Sequence, residues 1–363
     1  MISCCRLRKL RIAALNGLIG PPALILFLLL LALQLSGCKA EQPQTDKAAN
    51  SNDIMDTAFS EKCLVLERKL AGLAKKLKIP SVSVAVVKSG KVVFARGYGY
   101  SSLERKIPAA ASTFYHIASI TKTFTASIIL NLADAGKLNI NDNANEYGIN
   151  VPAGVTIRHL MSHTSNFVPG SVFYYNSTRF NLLGKIIEKA TGKAYTQILS
   201  EMILEPLDMA STIPNPMSGA FVEKRMGMKE ALDSIAKPYK IKNGVLAWEN
   251  FPSGFSPSAG LVSCVNDLAK YAAALENNQL FGKEISQIAY SPVISINGDT
   301  LPYGLGWFVQ WVNGKKAVWH YGDWTGNSSL LMRIPEDSLT LIMLANTDGL
   351  SAPFMGLDRK SVV

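Results

Sequence analysis

Four histidines and five cysteines are spread over 363 residues, with no Cys-x-x-Cys and no His-Glu-x-x-His. So dispersed a set offers no metal-ligand spacing, and neither a metal nor a cofactor is expected. Gly-x-Ser-x-Gly is absent too, which argues against a conventional α/β-hydrolase. No block of five or six like charges occurs, so the net charge of +10 does not mark a nucleic-acid binder. The chain has no internal repeat or long low-complexity tract. Its leading apolar run, Ala23 to Leu33, falls short of the roughly 20 residues a membrane-spanning helix needs.

That run suits an export signal instead. Arg6, Arg8, Lys9 and Arg11 form a basic region ahead of it, and Leu35-Ser36-Gly37-Cys38 follows it. The last four residues resemble a bacterial lipobox, which implies cleavage before Cys38 and acylation of that cysteine. An uncleaved anchor is the alternative. Residues 1–37 are therefore expected to be a lipoprotein signal peptide. Residues 38–57 are polar, without apolar periodicity, and are expected to be the lipidated cysteine and a flexible tether. The protein is expected in the cell envelope, anchored to a membrane and facing the periplasm or exterior. Lys39, in place of an inner-membrane retention aspartate, favours the outer membrane where there are two. Four of the basic residues precede Cys38, leaving a scattered +6 suited to anionic envelope polymers or lipids. Cys63 and Cys264 are expected as two separate, partly buried thiols, with one disulfide as the alternative.

Residues 58–357 suffice for one large domain or two lobes sharing a core. Leu66, Leu70, Leu73 and Leu77 have helical spacing, and Pro80 ends that helix. Val82, Val84 and Val86 alternate with smaller residues, and Ser89-Gly90 separates them from Val92 to Arg96, predicting a hairpin. Leu305–Val312, Ala317–Tyr321, Ser328–Arg333 and Leu339–Ala345 read as successive strands. Between the ends lie predicted helices at Ile120–Leu132, Ile157–Met161, Phe180–Ala190, Tyr195–Ile203 and Val265–Leu275. Strands at both ends and helices between them predict an α+β fold: an antiparallel sheet flanked by helices, with an inserted helical lobe.

Three short motifs carry the chemistry. Ser119-Ile120-Thr121-Lys122 opens a predicted helix, where residues three apart share a face and Lys122 can reach the Ser119 hydroxyl. Ser36-Lys39 and Ser234-Lys237 repeat the pattern, but one lies in the leader and the other runs into Pro238. Alone, Ser119 could simply cap its helix, and Asn176 of Tyr174-Tyr175-Asn176 could cap the next. His320-Tyr321-Gly322 completes the order. Ser-x-x-Lys, Tyr-x-Asn and basic-x-Gly in this order resemble the serine penicillin-recognising hydrolases. The likeness is to the branch of class C β-lactamases, D-alanyl-D-alanine peptidases and related esterases. It runs from about Ile79 to Asn346 and includes Phe180-Asn181-Leu182-Leu183-Gly184 and Ser162-His163-Thr164-Ser165-Asn166.

The resemblance implies the β-lactamase/transpeptidase-like fold and a covalent mechanism. Ser119 would be the nucleophile, with Lys122 and Tyr174 sharing its proton. Lys122 serves as a base only if its pKa falls well below the reference of about 10.4. Asn176 would orient Lys122 and contact a substrate amide. His320 would meet a substrate carboxylate or tune Lys122, and with a reference pKa near 6.5 it is a weaker fixed cation than lysine. Gly322 would let a substrate backbone approach, and the N–H groups of Ser119 and Asp323 would form an oxyanion hole. Tyr321 and Asp323 are bulkier and more acidic than the small residues usual there, which bears on substrate size and charge. His163 reads as structural, Trp307 as core, and Asn166 as a stand-in for a positive-φ glycine.

These readings predict a serine hydrolase acting on peptide-like or ester substrates, with D-alanyl peptidase-like or esterase activity. A true β-lactamase and a slowly turning over penicillin-binding lipoprotein are the alternatives. Expected partners are a small peptide-like, ester or β-lactam substrate and a membrane, through the lipid anchor. Residues 358–363 can be encoded by the start of a common sequencing adapter and are expected to be an artefactual tail.

Overall fold

The computed structural model describes residues 54–55 and 65–350, apart from positions 66, 71, 73, 76, 222, 224, 225 and 244. The leader, Cys38, Cys63 and the C-terminal tail lie outside the described residues. Thirteen strands occur among them. β1 is Ile54–Met55, β2 Ser81–Lys88, β3 Lys91–Ser102 and β4 Ile107–Pro108. β5 is Tyr115–His116, β6 Ile213–Pro214, β7 Tyr239–Lys242, β8 Val245–Trp248 and β9 Leu261–Ser263. β10 is Phe308–Val312, β11 Lys315–Trp324, β12 Asn327–Ile334 and β13 Leu339–Ala345.

The main sheet runs β1-β3-β2-β13-β12-β11-β10, with β4 paired to β3, and its pairings are antiparallel. The predicted hairpin is β2–β3. Ser89 (φ 50°) and Gly90 (φ 72°) both adopt the left-handed conformation that a two-residue turn matching strand twist requires. Alternation sorts each strand between two cores. Val82, Val84 and Val86 of β2 join Leu341 and Met343 of β13 on one face. Ala85 and Val87 join Ile342 and Leu344 on the other, against the helices. Both faces are covered, so every residue of β2 and β13 is buried.

Residues between 65 and 75 are helical where described, and the later helices are α1 (Thr121–Asp134), α2 (Ile157–Met161), α3 (Ser177–Thr191), α4 (Tyr195–Leu199), α5 (Met228–Ser234), α6 (Val265–Glu276) and α7 (Lys283–Ala289). Gly136 at φ 68° follows α1, as the predicted C-terminal stop requires. α4 continues into a π-helical turn, Ser200–Leu204. The fold is therefore the α+β arrangement expected: one antiparallel sheet from both ends of the chain, with helices between.

Two features differ from expectation. Ile54–Met55 sit inside the expected tether but pair with Phe94 and Ala95, because β3 offers unpaired backbone groups along its edge. A small sheet, β5-β9-β6, was not predicted, since strands of two and three residues carry no readable alternation. That small sheet leads straight into Ser119.

Candidate active site

β5 runs into a 3-10 turn, Ala118–Ile120, which presents Ser119 before α1 begins. Ala118 at φ 45° makes the corner, a strained conformation for a residue with a Cβ. Ser119 is half-buried and does not cap α1, whose cap position is Ile120. The corner docks against β11 and β12: Ser329 Oγ donates to Ile117 O at 2.8 Å. A Cβ added to Gly322 would lie 2.3 Å from both Ile117 O and Ser329 Oγ. Gly322 is thus required so that the strand and the serine's own turn can meet. The approach expected of a substrate backbone is made by the protein itself.

Strand pairing sets what faces Ser119. β10 stops at Phe308 opposite Trp319, so the later part of β11 pairs with β12 alone. Trp324 and Asn327 flank a two-residue turn. Tyr321 O lies 2.6 Å from His320 Nδ1. Tyr321's ring is buried with Phe308 and Trp319 and takes no part in limiting substrate size.

Lys122 lies one helical turn after Ser119 and is fully buried. Its Nζ donates to Ser119 Oγ at 3.0 Å and to Ser258 O at 3.0 Å. Ser258 is held in turn by Asn181 Oδ1, which accepts its N–H at 3.0 Å. Gly184 permits this approach, since a Cβ there would fall 2.5 Å from Pro257 Cγ. Ser258 was missed in the sequence because its contribution is a carbonyl, which any residue type carries.

Tyr175, not Tyr174, is the tyrosine brought to Lys122. The Tyr175 ring centroid is 4.9 Å from Nζ, a cation–π contact, and the ring packs against His163 at 4.3 Å. Tyr174 instead is 41% exposed and meets Phe167 edge-on. Asn176 caps α3, accepting the Arg179 N–H at 3.0 Å, while its Nδ2 donates to Asn166 Oδ1 at 3.3 Å. The capping alternative is therefore its observed hydrogen-bonding state.

His320 is fully buried rather than lining an open surface. Its Nδ1 lies 2.6 Å from Tyr321 O and its Nε2 2.9 Å from Tyr303 Oη. A carbonyl only accepts, so Nδ1 carries the proton, Nε2 accepts, and Tyr303 donates. Burial, with Lys122 nearby, pushes its pKa down to about 3. With both nitrogens bonded inside the protein, this neutral imidazole offers no cation to a substrate carboxylate.

His163 is structural, as expected: buried among rings, its Nδ1 accepts the Asn176 N–H at 3.1 Å. The left-handed residues of its loop are His163 (φ 56°) and Phe167 (φ 58°), not Asn166. Asn166 is used through its side chain, as the tie to Asn176. Trp307 is core, and Cys264 is a buried free thiol. Ser234 ends α5 and Lys237 pairs with Glu104, so that second Ser-x-x-Lys shares no helix.

Residues 66–360 match the Beta-lactamase family, and the chain belongs to it. It is 28% identical over 315 residues to Protein flp of Staphylococcus aureus strain MW2, covering 76% of this chain and 61% of that protein. The octameric penicillin-binding protein homologue from Pyrococcus abyssi superposes with a TM-score of 0.69 at 27% identity, over 82% of this chain and 79% of the other. A penicillin-binding protein from Bacillus halodurans shares the fold, with a TM-score of 0.65 at 20% identity over 79% and 98% of the two chains. The protein is thus a member of a serine hydrolase family with the β-lactamase/transpeptidase-like fold.

Proposed function

We propose that the protein forms an acyl-enzyme on Ser119 and acts on peptide-like or ester substrates, with D-alanyl peptidase-like or esterase activity. The observation that carries this reading is the 3.0 Å contact between Ser119 Oγ and the buried Lys122 Nζ. Ser119 Oγ attacks the substrate carbonyl carbon, and Lys122 with Tyr174 takes the hydroxyl proton. Backbone N–H groups of Ser119 and Asp323 receive the developing oxyanion, each donor contributing about 3 kcal/mol. Collapse breaks the bond to the leaving amine or alcohol, which departs with that proton. Water then cleaves the serine ester and regenerates the hydroxyl.

The neutral, buried His320 supports an esterase over an efficient β-lactamase, because no fixed cation stands there for an anionic substrate. The basic and apolar leader with Leu35-Ser36-Gly37-Cys38 supports action at the envelope, tethered by a lipid on Cys38. The test is a time course of intact mass of the full chain mixed with benzylpenicillin, with Ser119→Ala as control. A lasting adduct on Ser119 fits the proposal. Rapid drug consumption without adduct would make the protein a β-lactamase. Labelling that persists in Ser119→Ala would overturn the nucleophile.

A further inference from the structure

β7 and β8 form a two-stranded hairpin that is separate from the main sheet. Register places Tyr239 opposite Trp248 and Ile241 opposite Leu246, so these four side chains share one face. Tyr239 fixes that face to the body. It is buried, and its Oη accepts the Leu103 N–H at 2.8 Å and donates to Glu104 at 2.7 Å. Farther out the hairpin is open: Ile241, Trp248 and, at the turn, Val245 are 44%, 51% and 67% exposed.

Two strands alone are marginally stable in water, and an apolar face left open adds to the cost. A patch of this kind marks a surface that meets something apolar. Three observations identify its occupant. The cations about the hairpin are each matched by a carboxylate: Lys237 by Glu104 at 3.6 Å, Lys240 by Asp348 at 3.3 Å and Lys242 by Glu249 at 2.6 Å. These pairs leave no net charge, so the face offers its occupant apolar side chains. Lys237 Nζ lies 5.7 Å from the centroid of the Trp248 ring, and an indole beside an ammonium suits the boundary between lipid tails and headgroups. The hairpin also joins the body at the strand where the tether arrives. Lys237 N–H donates to Ser101 O of β3, and Ile54 pairs with Ala95 on that same strand. Ile54 follows Cys38 by 16 residues, a reach of at most about 55 Å.

We infer that the β7–β8 hairpin is a membrane-docking arm, laying Ile241, Val245 and Trp248 into the uncharged surface of the bilayer that holds the protein. This rests on the reading of Cys38 as a lipid anchor, and adds to it an orientation of the hydrolase domain on the membrane. Three side chains bind a bilayer weakly by themselves, but a tether keeps that bilayer at high effective concentration.

The experiment takes the protein as its host makes it, with acylation of Cys38 checked by mass. It is reconstituted in phosphatidylcholine vesicles with and without brominated acyl chains, which quench tryptophan inside the bilayer. Trp248→Phe is expected to remove at least half of the quenched emission, and Val245→Asp to lower it at least twofold. Both positions are exposed, so the fold does not depend on them. Trp311 is the internal control: it is 58% exposed on β10, the edge of the main sheet opposite to β1 and β3, and Trp311→Phe should leave the quenched emission unchanged. Equal quenched emission in wild type and Trp248→Phe, on vesicles that retain the acylated protein, overturns the arm and leaves the anchor standing. A dimer in detergent that Val245→Asp disperses also overturns the arm, by assigning the face to a second copy. A chain without acyl mass that does not float with the vesicles overturns both.

Discussion

The Tyr175 ring lies 4.9 Å from Lys122 Nζ, while its neighbour Tyr174 turns outward to Phe167. Adjacent residues of an extended segment point apart, so a shift of one position decides which tyrosine enters the site. Tyr175 meets Lys122 through its ring, which phenylalanine would keep, so Tyr175→Phe should stay within about threefold. Tyr174→Phe, which removes the hydroxyl that the motif assigns to proton transfer, is expected to lower kcat/KM by about 100-fold. Kinetics on one ester decide, and the reverse ranking would move the role to Tyr175.

Ser119→Ala should abolish both turnover and covalent labelling. Lys122→Ala should cost more activity than His320→Ala, because Lys122 bonds the nucleophile directly and His320 bonds Tyr303 and Tyr321. The reverse ranking in kcat/KM would overturn the proposed roles.

Gly322→Ala separates two meanings of the glycine. Its Cβ would strike Ile117 O and Ser329 Oγ at 2.3 Å, displacing the corner that presents Ser119. Acylation should fall for the smallest ester as much as for the largest, with a loss of stability of about 1–3 kcal/mol for overpacking. A loss confined to large substrates would mean that the substrate, not the corner, needs the space.

Acid should destabilise the fold before its carboxylates titrate. Burial pushes the pKa of His116 down to about 4, and burial with Lys122 pushes that of His320 to about 3. Unfolded imidazoles protonate below about pH 6.5, so between that value and the folded pKa the unfolded chain binds more protons. Stability is present in full above that window and is lost as pH falls through it, by about 2 kcal/mol per histidine at pH 5. Asp267, whose carboxyl is raised chiefly by burial, opposes this trend. Both ring nitrogens of His116 are buried without a hydrogen-bond partner, so His116→Leu should flatten the pH dependence of urea unfolding. An unchanged slope would show that His116 is accessible to protons in the folded state.

Phe167→Gly should raise stability by roughly 0.5–1 kcal/mol, the relief of left-handed strain less the added backbone entropy. Thermal unfolding measures it. A fall would mean that the exposed ring packs where it looks open.

The sheet, its hairpin and the main helices were legible in the sequence because alternation and helical spacing extend over whole elements. Leu339–Ala345 and Ile157–Met161 were placed to the residue. β5, β6 and β9 were not, because strands this short leave no period to read. In the site, the contact of Ser119 with Lys122 was readable because a three-residue spacing at the start of a helix is a local matter. That the ring of Tyr175 would pack on Lys122 was not readable, because it depends on how the segment before α3 crosses α1. The burial of His320 was not readable, because its partner Tyr303 is brought to it only by folding.

By itself, then, the sequence determined which residues alternate, which share a helix face, and that Ser119 lies within reach of Lys122. Tertiary structure decided which tyrosine covers Lys122, that Ser258 offers its carbonyl, that His320 is neutral, and that Gly322 serves the serine's own turn. The division follows from range: periodicity acts through neighbours along the chain, whereas burial, carbonyl contacts and pKa depend on segments that only folding brings together.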